Sequence, residues 1–271
     1  MKRAVALKLS LSLLACCVLC ASLSSAQTVA NKHAVLIQAQ HAYYNLRDEG
    51  LTAFECTVTP NWESLLAKER ASNPEGVDTA IKTLSQLQFI ARLGADGKVK
   101  LTHNELTGQS EEMMAALKQI YGGMEQMTSG FFDTWSLFML DHPFPTVDSE
   151  YQLQLIGPEY RLSYKDGTSS VVTDMSRSFA ISNLKVTSTS PQFDSSIQPK
   201  FSRIPKGFLF TAYDATYTSD KPTDATQLAV QIGYQEVDGL QIIKQLNLSG
   251  TYGGSPFAVE LAFSDCKVTK K

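Results

Sequence analysis

The spacing of hydrophobic and polar positions switches repeatedly between helical and strand periods along this chain. From about Val29 to Asp48, Leu36, Ile37, Tyr43 and Tyr44 recur at near-helical spacing and Gly50 supplies a stop, which predicts an amphipathic helix. Leu51 to Thr59 then alternates with β-branched residues, predicting a strand that Pro60 ends. A short helix is expected over residues 61–68 and another from Pro74 to Thr83. Leu87 to Leu93 and Lys98 to His103 read as a hairpin joined through Gly94-Ala-Asp-Gly97. The longest helical stretch runs from Ser110 to about Leu140. Met113, Leu117, Ile120, Met124, Met127, Phe131, Trp135 and Phe138 form one stripe along it, with a bend expected at Gly122-Gly123.

From Tyr151 the period becomes two. Tyr151, Leu153 and Leu155 alternate with glutamines, and Tyr160, Leu162 and Tyr164 follow before an Asp166-Gly167 turn. Phe179 and Ile181 are expected in one strand, and Phe208, Phe210 and Tyr213 in the next. Leu228, Val230, Ile232 and Tyr234 alternate cleanly, Asp238-Gly239 turns into Leu240 to Leu248, and Gly253-Gly254 leads to Phe257, Val259, Leu261 and Phe263. Such strands make an antiparallel meander with one dry face, which must be covered. The expected fold is α+β: a strongly curved antiparallel β-sheet, an open half-barrel, with helices packed in its concave face. Residues 27–271 carry no Pro- or Gly-rich linker and no repeat, so a single domain with a helical insert at about 60–140 is expected.

The first residues add a destination. Lys2, Arg3 and Lys8 precede an apolar run from Leu9 to Ala21, and Ser24-Ser25-Ala26 stand before Gln27. This is the pattern of a secretory signal peptide spanning 1–26. The apolar run is shorter than the roughly 20 residues a spanning helix needs. Two other outcomes are an uncleaved anchor and lipidation at Cys16, since Leu13-Leu14-Ala15-Cys16 is similar to a lipobox. Export to the periplasm, or otherwise out of the cytoplasm, is the expectation. Removing Lys2, Arg3 and Lys8 leaves 21 of the 24 basic residues against 27 acidic ones, a mature charge of about −6. With no basic cluster, nucleic acid is not an expected partner. Three of the five cysteines leave with the signal, and Cys56 and Cys266 read as a disulfide or as two buried free thiols.

Signatures of catalysis are missing: no Gly-x-Ser-x-Gly, no Walker loop, no Gly-x-Gly-x-x-Gly after a strand and no His-Glu-x-x-His. His33, His41, His103 and His142 are scattered, so no metal or other cofactor is expected. Asn247-Leu-Ser249 fits a glycosylation sequon but falls inside a predicted strand behind a signal of bacterial character. Five of the seven methionines lie between Met113 and Met139, beside Phe131, Phe132, Trp135 and Phe138. That cluster is either ordinary core packing or a movable lid over an apolar cavity.

His41-Ala-Tyr-Tyr-Asn-Leu-Arg-Asp-Glu-Gly-Leu-Thr-Ala-Phe-Glu-Cys56 resembles the start of the LolA/LolB-like superfamily of periplasmic lipoprotein carriers. Val230-Gln-Ile-Gly-Tyr-Gln-Glu-Val-Asp-Gly-Leu240 and Phe257-Ala-Val-Glu-Leu-Ala-Phe-Ser-Asp-Cys-Lys-Val268 resemble its ending. The segment from about Pro60 to Leu140 is larger than such carriers usually have, and a proline expected near Leu240 to Ile243 is absent. The resemblance implies a non-enzymatic carrier for a lipid, acyl chain or lipoprotein, with peripheral membrane contact. The expected apolar lining is Leu36, Tyr44, Trp62, Leu117, Met124, Phe131 and Trp135 from helices, with Phe208, Phe210, Ile232 and Phe263 from strands. The alternative is an envelope structural or interaction module of the same fold with a filled core.

Overall fold

A computed structural model describes residues 27–94, 96–108, 110–219 and 225–271. The expected signal peptide, Cys16 included, lies outside the described residues. The chain opens with β1 (Gln27–Thr28), α1 (Lys32–His41) and β2 (Leu51–Pro60), followed by α2 (Trp62–Leu65), α3 (Ala67–Arg70) and α4 (Pro74–Leu84). A hairpin of β3 (Phe89–Leu93) and β4 (Val99–His103) leads to α5 (Glu111–Met139). The meander then runs through β5 (Tyr151–Ile156), β6 (Glu159–Asp166), β7 (Ser169–Met175), β8 (Ile181–Thr189) and β9 (Gln192–Ile204). It finishes with β10 (Gly207–Ser219), β11 (Thr226–Val237), β12 (Leu240–Tyr252) and β13 (Ser255–Lys270).

The fold is α+β, as expected. Its strands form one sheet in the order β1-β5-β6-β7-β8-β9-β10-β11-β12-β13-β2-β3-β4, with neighbours antiparallel and the two ends unpaired, so it is not closed into a barrel. Period two reads straight across it. Tyr213, Val230, Leu248 and Val259 stand in register and are buried, while Ala212, Gln231, Asn247 and Glu260 form the adjoining row on the opposite face. A bulge at Thr211 moves the buried positions of β10 from Phe208 and Phe210 to Tyr213 and Ala215.

The second half of α5 contacts that buried face. Phe138 stacks on Phe210 with ring centroids 4.5 Å apart, Phe132 meets Phe263 edge-on, and Trp135 lies against Phe54. Trp135 Nε1 donates to the Tyr234 hydroxyl at 3.2 Å, which donates in turn to Phe210 O at 2.6 Å. The Ser110 side chain caps the helix by accepting from Met113 N, and Glu111 and Glu112 occupy its positive first turn. α5 continues unbroken through Gly122-Gly123.

Cys56 and Cys266 are joined in a disulfide. The register between β13 and β2 jumps from Ser264↔Thr57 to Lys267↔Glu55, which places Asp265 and Cys266 opposite Cys56 with the cysteine Cα atoms 4.1 Å apart. The bond spans 210 residues, and by the chain-entropy argument such a closure stabilises the fold by about 5 kcal/mol.

Three expectations are corrected. α1 ends at His41, not near Asp48, because β10 captures the chain that follows: Phe208 N donates to Ala42 O and Tyr44 N to Phe208 O. Gly207 allows this approach, since a Cβ there would lie 2.7 Å from Ala42 O. Asn45 Oδ1 then accepts from Arg47 N and Asp48 N and turns the chain toward β2. Phe179 is not in a strand; it holds φ 71° in the connection before β8, where its carbonyl accepts from the Tyr43 hydroxyl at 2.6 Å. The short helix over 61–68 is two pieces, α2 and α3, meeting at Leu66.

Candidate functional site

A cleft of about 590 Å³ lies between the middle of α5 and strands β10–β13 in the interior of the sheet, within the range typical of small-molecule sites. Helical geometry selects its roof. Gly123, Gln126, Met127, Gly130, Phe131 and Thr134 are spaced three, four, seven, eight and eleven residues from the first, so they share one face, with Asp133 at its edge. The floor is made by Tyr217, Leu228, Leu248, Tyr252 and Phe257, with Thr226 beside them.

The floor row is uneven, and on the helix side the space exists because side chains are missing there. Ala215, Leu228, Gly250 and Phe257 stand in register across β10 to β13, so a methyl group and a bare backbone alternate with two large residues. A Cβ on Gly250 would fall 1.9 Å from Gln227 O, so only glycine fits there. On the helix, a Cβ at Gly123 or Gly130 would meet nothing within 4 Å. Each of these glycines costs a helix interior about 0.5–1 kcal/mol relative to alanine. Close packing does not require either one, and their effect is to leave the cleft open.

The interior is apolar, with Met127, Phe131, Leu228, Leu248 and Phe257 in it and Tyr252, 60% exposed, at its mouth. Polar groups gather along one edge. Thr134 Oγ1 donates to Gly130 O at 3.3 Å and lies 3.5 Å from the Tyr217 hydroxyl. Burial raises the Tyr217 phenol above its ordinary range, and the nearby Asp133 carboxylate pushes it the same way. Asp133 is the one acidic side chain among the described lining residues. The arrangement offers an apolar interior with hydrogen-bonding groups at its rim, and among the described residues no nucleophile with an adjacent base lines it.

Of the residues expected to line a cavity, Phe131 alone is in this cleft. Leu36, Tyr44, Trp62, Leu117, Met124, Trp135, Phe208, Phe210, Ile232 and Phe263 are buried with it in one continuous core. Trp62 faces Phe89, and the Tyr44 hydroxyl accepts from Gln241 N at 3.0 Å, so these side chains are held by packing. Ile232 also borders a more polar hollow of about 570 Å³ over β9–β13 with Lys200, Asp214, Gln231 and Glu260. The histidines stand apart: His33 bonds Tyr151, His103 stacks on Tyr121, and His142 sits 3.6 Å from Asp48. Gly130 escaped the sequence reading, and Gly123 entered it only as part of an expected bend. Two glycines seven apart on the Met-rich face of a strong helix were the available signal.

Comparison with known proteins finds no matching family, no similar curated protein and no similar solved structure.

Proposed function

We propose that this chain is an exported, non-enzymatic carrier that shelters the apolar chain of a lipid, acyl group or lipoprotein between α5 and strands β10–β13. The cleft carries this reading: an opening of about 590 Å³ in which two helical glycines, Gly123 and Gly130, stand where side chains would otherwise reach into the space. In this reading the sheet curls around α1 and α5 as a half-barrel, in the manner of the LolA-like carriers that the chain's two ends resemble. Burying a chain of about twelve methylenes contributes about 10 kcal/mol at about 0.8 per methylene. Lost translational and rotational freedom takes back at least about 4. The remainder, about 6 kcal/mol, corresponds to a Kd of tens of micromolar, which suits a protein that must also release its cargo. The disulfide is compatible with an extracytoplasmic setting, and no helix among the described residues is long and apolar enough to cross a membrane.

A second reading is an envelope interaction module with a filled core. It is favoured by the close packing of Leu36, Tyr44, Trp62, Trp135, Phe210 and Phe263, residues expected to line a cavity and found within the core. Native mass spectrometry of the mature protein, purified without detergent from an envelope fraction and then extracted with solvent, separates the two. The carrier is expected to show an added mass that extracts as lipid. A clean apo mass, unchanged after incubation with lipid or lipopeptide, would leave the interaction module.

A further inference from the structure

Charge around the cleft is one-sided. Asp133 sits exposed at its edge, and among the described residues no lysine, arginine or histidine lines it. The stretch of α5 over the cleft, residues 119–134, contains Glu125 and Asp133 but no lysine or arginine. The β12–β13 connection, from Gln245 to Val259, has no charged residue.

Hydrogen-bonding capacity at the same edge points the same way. The Thr134 hydroxyl donates to Gly130 O and lies 3.5 Å from the Tyr217 hydroxyl, a pair in which either group can donate. Asp133 only accepts. A head group that brings N–H donors and positive charge finds these oxygens and a carboxylate, whereas a carboxylate head meets a like charge.

We propose that the cleft selects amphiphiles with an ammonium head over those with a carboxylate head, and that Asp133 makes the distinction. This rests on the carrier reading above and adds the class of cargo to it. Asp133 is solvated, so the preference is modest, about two- to fivefold for each sign of charge, and it weakens with added salt.

The test is displacement of the neutral fluorophore 1-N-phenylnaphthylamine from the mature chain at low ionic strength and neutral pH. Dodecylamine, dodecanol and dodecanoate serve as matched competitors below their aggregation limits. Dodecylammonium is expected to displace the probe at least about fivefold more effectively than dodecanoate, with dodecanol between them. Asp133→Asn should bring the ammonium-to-carboxylate ratio close to one. Glu150→Gln, which removes the same charge from an exposed position outside the cleft lining, should keep the wild-type ratio. Equal displacement by the charged competitors, or a ratio that survives Asp133→Asn, overturns the head-group assignment and leaves the carrier intact. Failure of the neutral probe to bind at all overturns the carrier reading and the assignment with it.

Discussion

The two ends of α5 follow the same hydrophobic stripe and do opposite things. Toward the C-terminus, Phe132, Trp135, Phe138 and Met139 are essentially without solvent contact, pressed on Phe54, Phe210 and Phe263. In the middle of the helix, Gly123, Met127 and Gly130 overlook an open floor of Tyr217, Leu228, Leu248 and Phe257. Periodicity decides which face of a helix turns inward; the sizes of residues on both partners decide whether that face is sealed. One helix thus anchors the core at one end and roofs a cleft further along, without any change in its pattern.

The sharpest way to break this comparison is to truncate each part in turn. Trp135→Ala should destabilise the protein by about 3–5 kcal/mol in urea denaturation, through the cavity it leaves and the donor lost to the Tyr234 hydroxyl. Met127→Ala, over a space that is already open, should cost far less. Similar losses at both sites would contradict the division of α5 into a sealed part and an open one.

Alkaline titration reads the most deeply buried phenols, which lie in the sealed region. Burial holds the phenols of Tyr43, Tyr213 and Tyr234 well above the ordinary value of 10.0. Above pH 10 the unfolded chain releases these protons while the folded chain keeps them, so stability is fully present below pH 10 and falls as pH rises beyond it. The slope is about 1.4 kcal/mol per pH unit for each tyrosine. Denaturation midpoints that stay flat from pH 9 to 11.5 would show that these hydroxyls are solvated.

How legible each part was follows from what it is made of. α5 and the hairpins turned by Asp-Gly and Gly-Gly could be read because periodic large residues and turn glycines announce them. β9 was missed because Pro199 and a run of serines hide its alternation, although Pro199 keeps its register opposite Tyr213. The true end of α1 was hidden because contact with β10, more than 160 residues away in sequence, decides it. Pairing of the cysteines depended on a bulge that no local pattern encodes. The cleft was the least visible feature, since hydrophobic patterns report side chains that are present and the cleft is built from side chains that are absent.

Gly130 is where these two properties of α5 meet, and one paired measurement on Gly130→Leu tests the central claim most directly. Thermal unfolding and binding of 1-N-phenylnaphthylamine would be recorded side by side for wild type and variant. No atom lies within 4 Å of the added Cβ, so the leucine is expected to raise helix stability by up to about 1 kcal/mol while filling the cleft and weakening probe binding at least about tenfold. A variant that gains stability and binds the probe as tightly as the wild type would contradict the account, because the ligand would then lie elsewhere.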